Sequence, residues 1–208
     1  MLSYYSSVLG TVEINYTFRR RPSESTLQAW KEQTPEGFRF TLKAPQRITH
    51  FKRLKDVQEE VDEFIRLARL LDQRLGTILF QLPPNMKYDR ARLEGFLSSL
   101  PPVVKYAMEF RHDSFRDEEV RSLLAQSEVA YCGADTDEAA LLEIPAGAGH
   151  AYLRLRKEHY APKELKGWGE KIAQVVKSGR DVYCYLKHED GGLGPKYALQ
   201  IKQAAAHQ

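Results

Sequence analysis

Seven short strand-like runs, several of them alternating apolar and polar residues and all separated by stretches of helical periodicity, constrain this chain most. They lie near residues 11–18, 38–44, 77–82, 104–111, 129–135, 150–156 and 182–188. Alternation at period 2 puts successive side chains on opposite faces of a strand. Glu13, Asn15 and Thr17 oppose Val12, Ile14, Tyr16 and Phe18; Arg39, Thr41 and Lys43 oppose Phe38, Phe40 and Leu42. Tyr152, Arg154 and Arg156 oppose Leu153 and Leu155, and Tyr183, Tyr185 and Lys187 oppose Val182, Cys184 and Leu186.

The spacers read as helices. Ser23 caps a segment through Leu27 and Trp30 that ends at Pro35 and Gly37. Val57, Val61, Phe64, Ile65, Ala68, Leu71 and Leu75 form one apolar stripe, ended by Gly76. Asp89 opens a helix carrying Leu93, Phe96, Leu97 and Leu100, and Pro101-Pro102 closes it. Val120, Leu123 and Leu124 mark another, Pro162 opens one that runs to Gly179, and a last one follows Gly194-Pro195.

Strand–helix alternation argues for parallel strands joined by helical crossovers. In an open doubly wound sheet both faces lie under helices and strands read as continuous apolar runs. Here one face stays polar, which fits a barrel: apolar residues point out to helices and polar ones line the interior. The expectation is a TIM-like (β/α) barrel of about seven parallel strands with outer helices, one domain over residues 1–208.

Composition narrows the function classes. A net charge of +3 is too small to argue nucleic-acid binding by itself, so the clusters Arg19-Arg20-Arg21 and Arg154/Arg156/Lys157 matter more. Cys132 and Cys184 sit in apolar strand-like runs and read as buried, reduced thiols. No apolar run approaches the roughly 20 residues of a membrane span, and no signal peptide is evident, so the expected location is cytoplasmic, with no membrane partner. No GxGxxG or phosphate-loop lysine motif supports a nucleotide cofactor.

The strand ends carry the chemistry. In Met108-Glu109-Phe110-Arg111-His112 a carboxylate, a guanidinium and an imidazole leave one strand together. Glu109 reads as a ligand contact or as half of an ion pair with Arg111 that fixes the interior. His112 reads as a general base, a metal ligand or a loop hydrogen bonder. Glu13 and Asn15 suit a hydroxyl, metal or amide partner, or a buried hydrogen-bond network. Lys43 offers a point charge for an anion, His50 lies in the following loop, and Gln81 precedes the strand-ending Pro83-Pro84. Asp135 reads as a metal ligand, a residue orienting a base, or a helix cap. Arg154, Arg156 and Lys187 suggest an anion site where TIM barrels often hold phosphate; His188 follows them. Glu109, His112 and Asp135 are thus candidate catalytic residues. Glu13, Asn15, Lys43, His50, Gln81, Arg111, Arg154, Arg156, Lys187 and His188 are candidate binding residues. Donors for a divalent metal occur at the strand ends, but no metal-ligand spacing such as two His at i, i+4 appears, so the cofactor is left open.

The segments Thr11–Asn15, Pro35-Glu36-Gly37-Phe38-Arg39-Phe40, Lys43-Ala44-Pro45 with Ile48-Thr49-His50, Gln81-Leu82-Pro83-Pro84, Glu109–His112 with Ser114, Ala134-Asp135-Thr136, Tyr152–Arg156 and Lys187–Asp190 occur in one order. In this the chain resembles domain-of-unknown-function family 72, the YecE-like proteins, over essentially its whole length. The resemblance implies a TIM-like barrel and supplies no established reaction. It also implies a first strand, Gly-Thr-Ser-Gly-aromatic, that is not seen here: Leu2-Ser3-Tyr4-Tyr5 reads as the helix after it. One unit of roughly 30 residues in a barrel of about 250 is thus expected to be missing; either the start is misassigned, or the two edges left are covered by a partner, such as a second copy, or by local rearrangement. Arg19 stands where the family commonly has Tyr. The expected function is binding, with hydrolysis, of a phosphorylated or other anionic substrate, small molecule or nucleic acid. A metal-dependent phosphodiesterase like barrel endonucleases is its sharpest form, and a non-catalytic anion- or nucleic-acid-binding module is the alternative.

Overall fold

The computed structural model describes residues 2–187 and 192–206, so His188 and the adjacent Glu189, Asp190 and Gly191 lie outside the described residues. By internal contacts the chain divides into two compact units, residues 1–129 and 130–208.

The first unit holds α1 (Leu2–Val8), β1 (Thr11–Ile14), the single-turn α2 (Tyr16–Arg19), α3 (Glu24–Glu32), β2 (Arg39–Lys43), a π-turn at Arg47–Phe51, α4 (Gln58–Ala68), β3 (Leu75–Gln81), α5 (Arg90–Ser99), β4 (Lys105–Glu109) and α6 (Glu118–Gln126). The strands pair in sequential order, all parallel: Glu13 beside Thr41, Lys43 beside Leu79, Gln81 beside Glu109. That register puts Glu13, Thr41, Lys43, Gln81 and Glu109 on one face. The other face is apolar and covered by helices. Trp30 of α3 stacks on Phe40 of β2, and Phe96 of α5 meets Phe80 of β3 edge-on. Polar-in, apolar-out alternation therefore holds as read from the sequence.

Start signals act as expected. Ser23 Oγ accepts from Thr26 N and Asp89 Oδ1 from Arg92 N, each at 3.1 Å, satisfying backbone donors that a helix leaves open at its first turn.

Two boundaries differ from the sequence reading. The first strand ends at Ile14, not near 18: Asn15 turns to helical angles, and the Thr17 hydroxyl donates to the carbonyls of Ile14 (3.1 Å) and Lys43 (2.7 Å). Short hydroxyl and amide side chains offer the backbone local hydrogen bonds that compete with a ladder. The stripe from Val57 does not make one helix to Leu75. Helix α4 stops at Ala68, a 3₁₀ segment covers Arg69–Arg74, and Asp72 takes φ 48°. Leu71 still points fully inward, so the apolar spacing survives the break.

The second unit holds β5 (Val129–Asp135, beginning at the boundary), β6 (His150–Leu155), α7 (Pro162–Lys177), β7 (Asp181–Leu186) and α8 (Leu193–Ala206). Again the strands are parallel and sequential, with Cys132 beside Tyr152 and Tyr152 beside Tyr183. Leu153, Leu155, Tyr160, Leu165, Trp168 and Ile201 form its core between strands and helices. The β5–β6 connection has no helix among the described residues. Instead it lays Leu141 and Pro145 against Gly133, where a Cβ would come within 2.6 Å of Leu141. Neither cysteine forms a disulfide, and burial pushes the Cys184 thiol up to about 12.

Candidate functional site

In the first unit the polar residues gather where strands end. Lys43, Gln81 and Glu109 are the last residues of β2, β3 and β4. Glu109 is 4% exposed and accepts from Arg111 Nε at 3.0 Å, so the ion-pair reading of these two residues describes their geometry. Gln81 is 5% exposed and its Oε1 is fully buried without a hydrogen-bond partner. A buried acceptor left unmet costs about 1–3 kcal/mol.

The π-turn after β2 brings in His50. Lys52 N donates to Arg47 O at 2.9 Å, closing the wide turn. His50 Nδ1 shares a hydrogen with Thr49 Oγ1 at 2.9 Å. The imidazole meets the Phe18 ring edge-on at 4.9 Å, and Lys43 Nζ lies 4.1 Å over that same ring. Desolvation first, then the charges of Lys43, Arg111 and Arg53, hold the His50 pKa below its ordinary value. His50 is therefore neutral at pH 7, within a group of three cations.

Asn15 is exposed and donates from Nδ2 to Glu13 Oε1 at 3.1 Å. His112 takes the loop-bonding role. Its Nδ1 accepts from Ser114 N at 3.1 Å and lies 2.9 Å from Ser114 Oγ, while Ser114 Oγ accepts from Tyr88 N at 2.8 Å. Because Nδ1 accepts a backbone N–H, the neutral ring carries its proton on Nε2. The structure thus brings Glu109, Arg111, Gln81, Lys43 and His50 to the strand ends of one unit, and sets His112 to holding the loop after β4.

In the second unit Arg154 is 2% exposed and shares a face with Tyr152 and Tyr185. Asp135 does not join it. The register sets Asp135 beside Leu155 and Arg154 beside Ala134, on opposite faces. Asp135 Oδ1 accepts from Leu141 N at 2.8 Å, and its other oxygen lies 3.5 Å from Lys157 Nζ. Lys157 also binds Glu164 at 2.9 Å, which with Asp135 raises its pKa. Glu164 in turn accepts from Ala161 N at 2.8 Å, the bond that contributes most to lowering its own pKa. Asp135 therefore fastens the loops around β5 and β6. Arg156 N donates to Asp135 O at 2.7 Å, and Lys187 lies 3.7 Å from Glu158. Among the described residues no three His, Cys, Asp or Glu side chains are grouped to hold a metal ion, and no helix is long and apolar enough to cross a membrane.

Three residues of these sites escape the candidate set read from sequence, Thr17, Phe18 and Arg53, while Lys157, read there only as part of a cationic cluster, bridges Asp135 and Glu164. Asn15 and Thr17, both turn formers, were the available signal for the first two. Arg53 reaches its place through a left-handed backbone, φ 50°, which nothing in its identity announces.

The whole chain, residues 1–208, matches the family described as protein of unknown function DUF72. It is 34% identical over 115 residues to the UPF0759 protein YecE of Escherichia coli K12, covering 55% of this chain and 42% of YecE. It is 28% identical over 122 residues to the UPF0759 protein YunF of Bacillus subtilis 168, covering 55% of this chain and 43% of YunF. These matched stretches span less than half the length of each relative. The crystal structure of a DUF72 family protein from Thermotoga maritima MSB8 superposes with a TM-score of 0.82 at 28% identity, covering 97% of this chain and 87% of that one. A DUF72 family protein from Enterococcus faecalis V583 gives 0.80 at 16% identity, over 99% and 88%, a likeness of fold alone. With parallel sequential strands, helix-covered apolar faces and a family match over its full length, the chain has the TIM-like α/β fold and belongs to the DUF72 family.

Proposed function

We propose that the strand ends of the first unit bind an anionic, phosphate-bearing substrate and that the protein hydrolyses it in the cytoplasm. The observation that carries this reading is the gathering of Lys43, Arg53 and Arg111 around a neutral His50. Each of these cations disfavours a charge on His50, and a bound anion would be attracted to all three. Lys43 and Arg111 would hold the substrate's oxygens. His50 Nε2, whose sister nitrogen is engaged by Thr49, would take a proton from water as the water oxygen bonds to phosphorus. The ester oxygen would leave with the electron pair of the broken P–O bond.

Differential scanning fluorimetry with inorganic phosphate and phosphate monoesters tests the binding step. Stabilisation of the wild type, reduced at least about tenfold in affinity by Lys43→Ala, is expected for loss of one charge-assisted contact. Release of phosphate from a bound ester should fall by about 10²–10⁴ in His50→Gln. A second reading is a non-catalytic anion- or nucleic-acid-binding module, favoured by the exposed Arg19 and Arg20 that follow Phe18. Binding without turnover in the wild type selects it. No stabilisation by any phosphate compound sinks both.

A further inference from the structure

The proposed anion site has a second end that phosphate alone does not fill. Gln81 and Glu109 are direct register partners on neighbouring parallel strands, so their side chains stand next to each other on the polar face. Each closes its strand and each is at least nine-tenths buried. Gln81 Oε1 has no donor, and the Glu109 carboxylate beside it only accepts. Two residues earlier on the same face of β3 stands Leu79, fully buried, so an apolar side chain suits this wall. An amide at the strand end with an orphaned oxygen is a place prepared for a donor brought by something else. Cations flank it: Lys43 ends the strand on one side, and Arg111 follows Glu109 on the other.

We propose that Gln81 and Glu109 receive hydroxyls of the ligand and that the substrate class is a phosphorylated sugar or polyol, its phosphate at the cations and one hydroxyl donating to each acceptor. The inference rests on the anion-binding reading above and deepens it. A phosphate monoester dianion carries no proton to give, so the hydroxyls must come from the rest of the ligand. Sites built to hydrogen-bond a hydroxyl discriminate strongly against compounds lacking it, because the site's own polar groups are then left unmet.

Isothermal titration calorimetry of the full chain with inorganic phosphate, ribose, ribose 5-phosphate and glycerol 3-phosphate tests it. At least one phosphorylated polyol should bind about tenfold or more tightly than inorganic phosphate, with ribose giving no measurable heat. Gln81→Met should erase that advantage and keep phosphate affinity within about twofold. If phosphate and the phosphorylated polyols bind the wild type equally, the hydroxyl site is wrong and the anion site stands. If no phosphate compound binds, the anion reading falls with it. Melting of Gln81→Met gives a check without ligand. An unchanged or higher Tm is expected, since the orphaned oxygen is removed. A drop of several degrees marks Gln81 as a structural hydrogen bonder and overturns the proposal.

Discussion

His50 couples the charge of the first unit to its stability. Its pKa lies below the ordinary 6.5 because of desolvation and then Lys43, Arg111 and Arg53. An unfolded chain therefore takes up a proton at this residue as pH falls below 6.5, while the folded chain resists until its lower pKa is reached. The sign follows: this group costs nothing at neutral pH, and its destabilisation grows across that window. Scanning fluorimetry from pH 7.5 to 5 should show the wild-type Tm falling, and His50→Gln should fall less. Equal slopes would show that His50 does not feel the cations. At this scale the sequence was partly legible. Lys43, Gln81, Glu109 and Arg111 could be placed on one face because side-chain direction alternates along a strand. Asp135 could not be placed, because a strand-end position does not say which face its partners use. His112 could not either, since its partner Ser114 becomes a partner only through the turn.

Single elements hold their positions by contacts that can be removed one at a time. The π-turn carrying His50 is tied to α4 by Glu60, which receives Arg47 Nε at 2.9 Å and Lys52 Nζ at 2.7 Å. These partners, Lys52 first, lower the Glu60 pKa from 4.5 to about 2. The clamp's stabilisation is thus complete above pH 4.5 and lost as pH falls through about 2. Glu60→Gln should cost about 1 kcal/mol at pH 7, as befits a part-exposed pair, by urea unfolding. The difference from wild type should shrink steeply as pH falls from 4.5 toward 2, and a gap that stays constant across that range would mean the loss is not ionic. In the second unit α7 and α8 meet at Gly169, where a Cβ would lie 2.5 Å from Ala204 Cβ and 2.9 Å from Ile201 O. Gly169→Ala should destabilise by about 1–3 kcal/mol despite alanine's better helix propensity, because packed helices must separate. A neutral or stabilising result would show the pair can slide. Element type was readable from spacing and caps such as Ser23 and Asp89. The ends of β1 and α4 were not, since Thr17 reaches a carbonyl 26 residues away and Leu71 stays buried past the break.

For the molecule as a whole, strand β1 has one strand neighbour among the described residues, β2. The small net charge of +3 supplies no strong global field, so the proposed anion binding would depend on the local cations. The order and kind of elements, the polar and apolar faces of the strands and the family were all legible in the residues alone, because period, capping and motif order are local properties. Tertiary structure decided what those faces do. Register made neighbours of Gln81 and Glu109, a left-handed stretch brought Arg53 toward His50, and the second unit drew Asp135 into its loops. Those outcomes depend on contacts between residues far apart in the chain, whose energies no local pattern encodes.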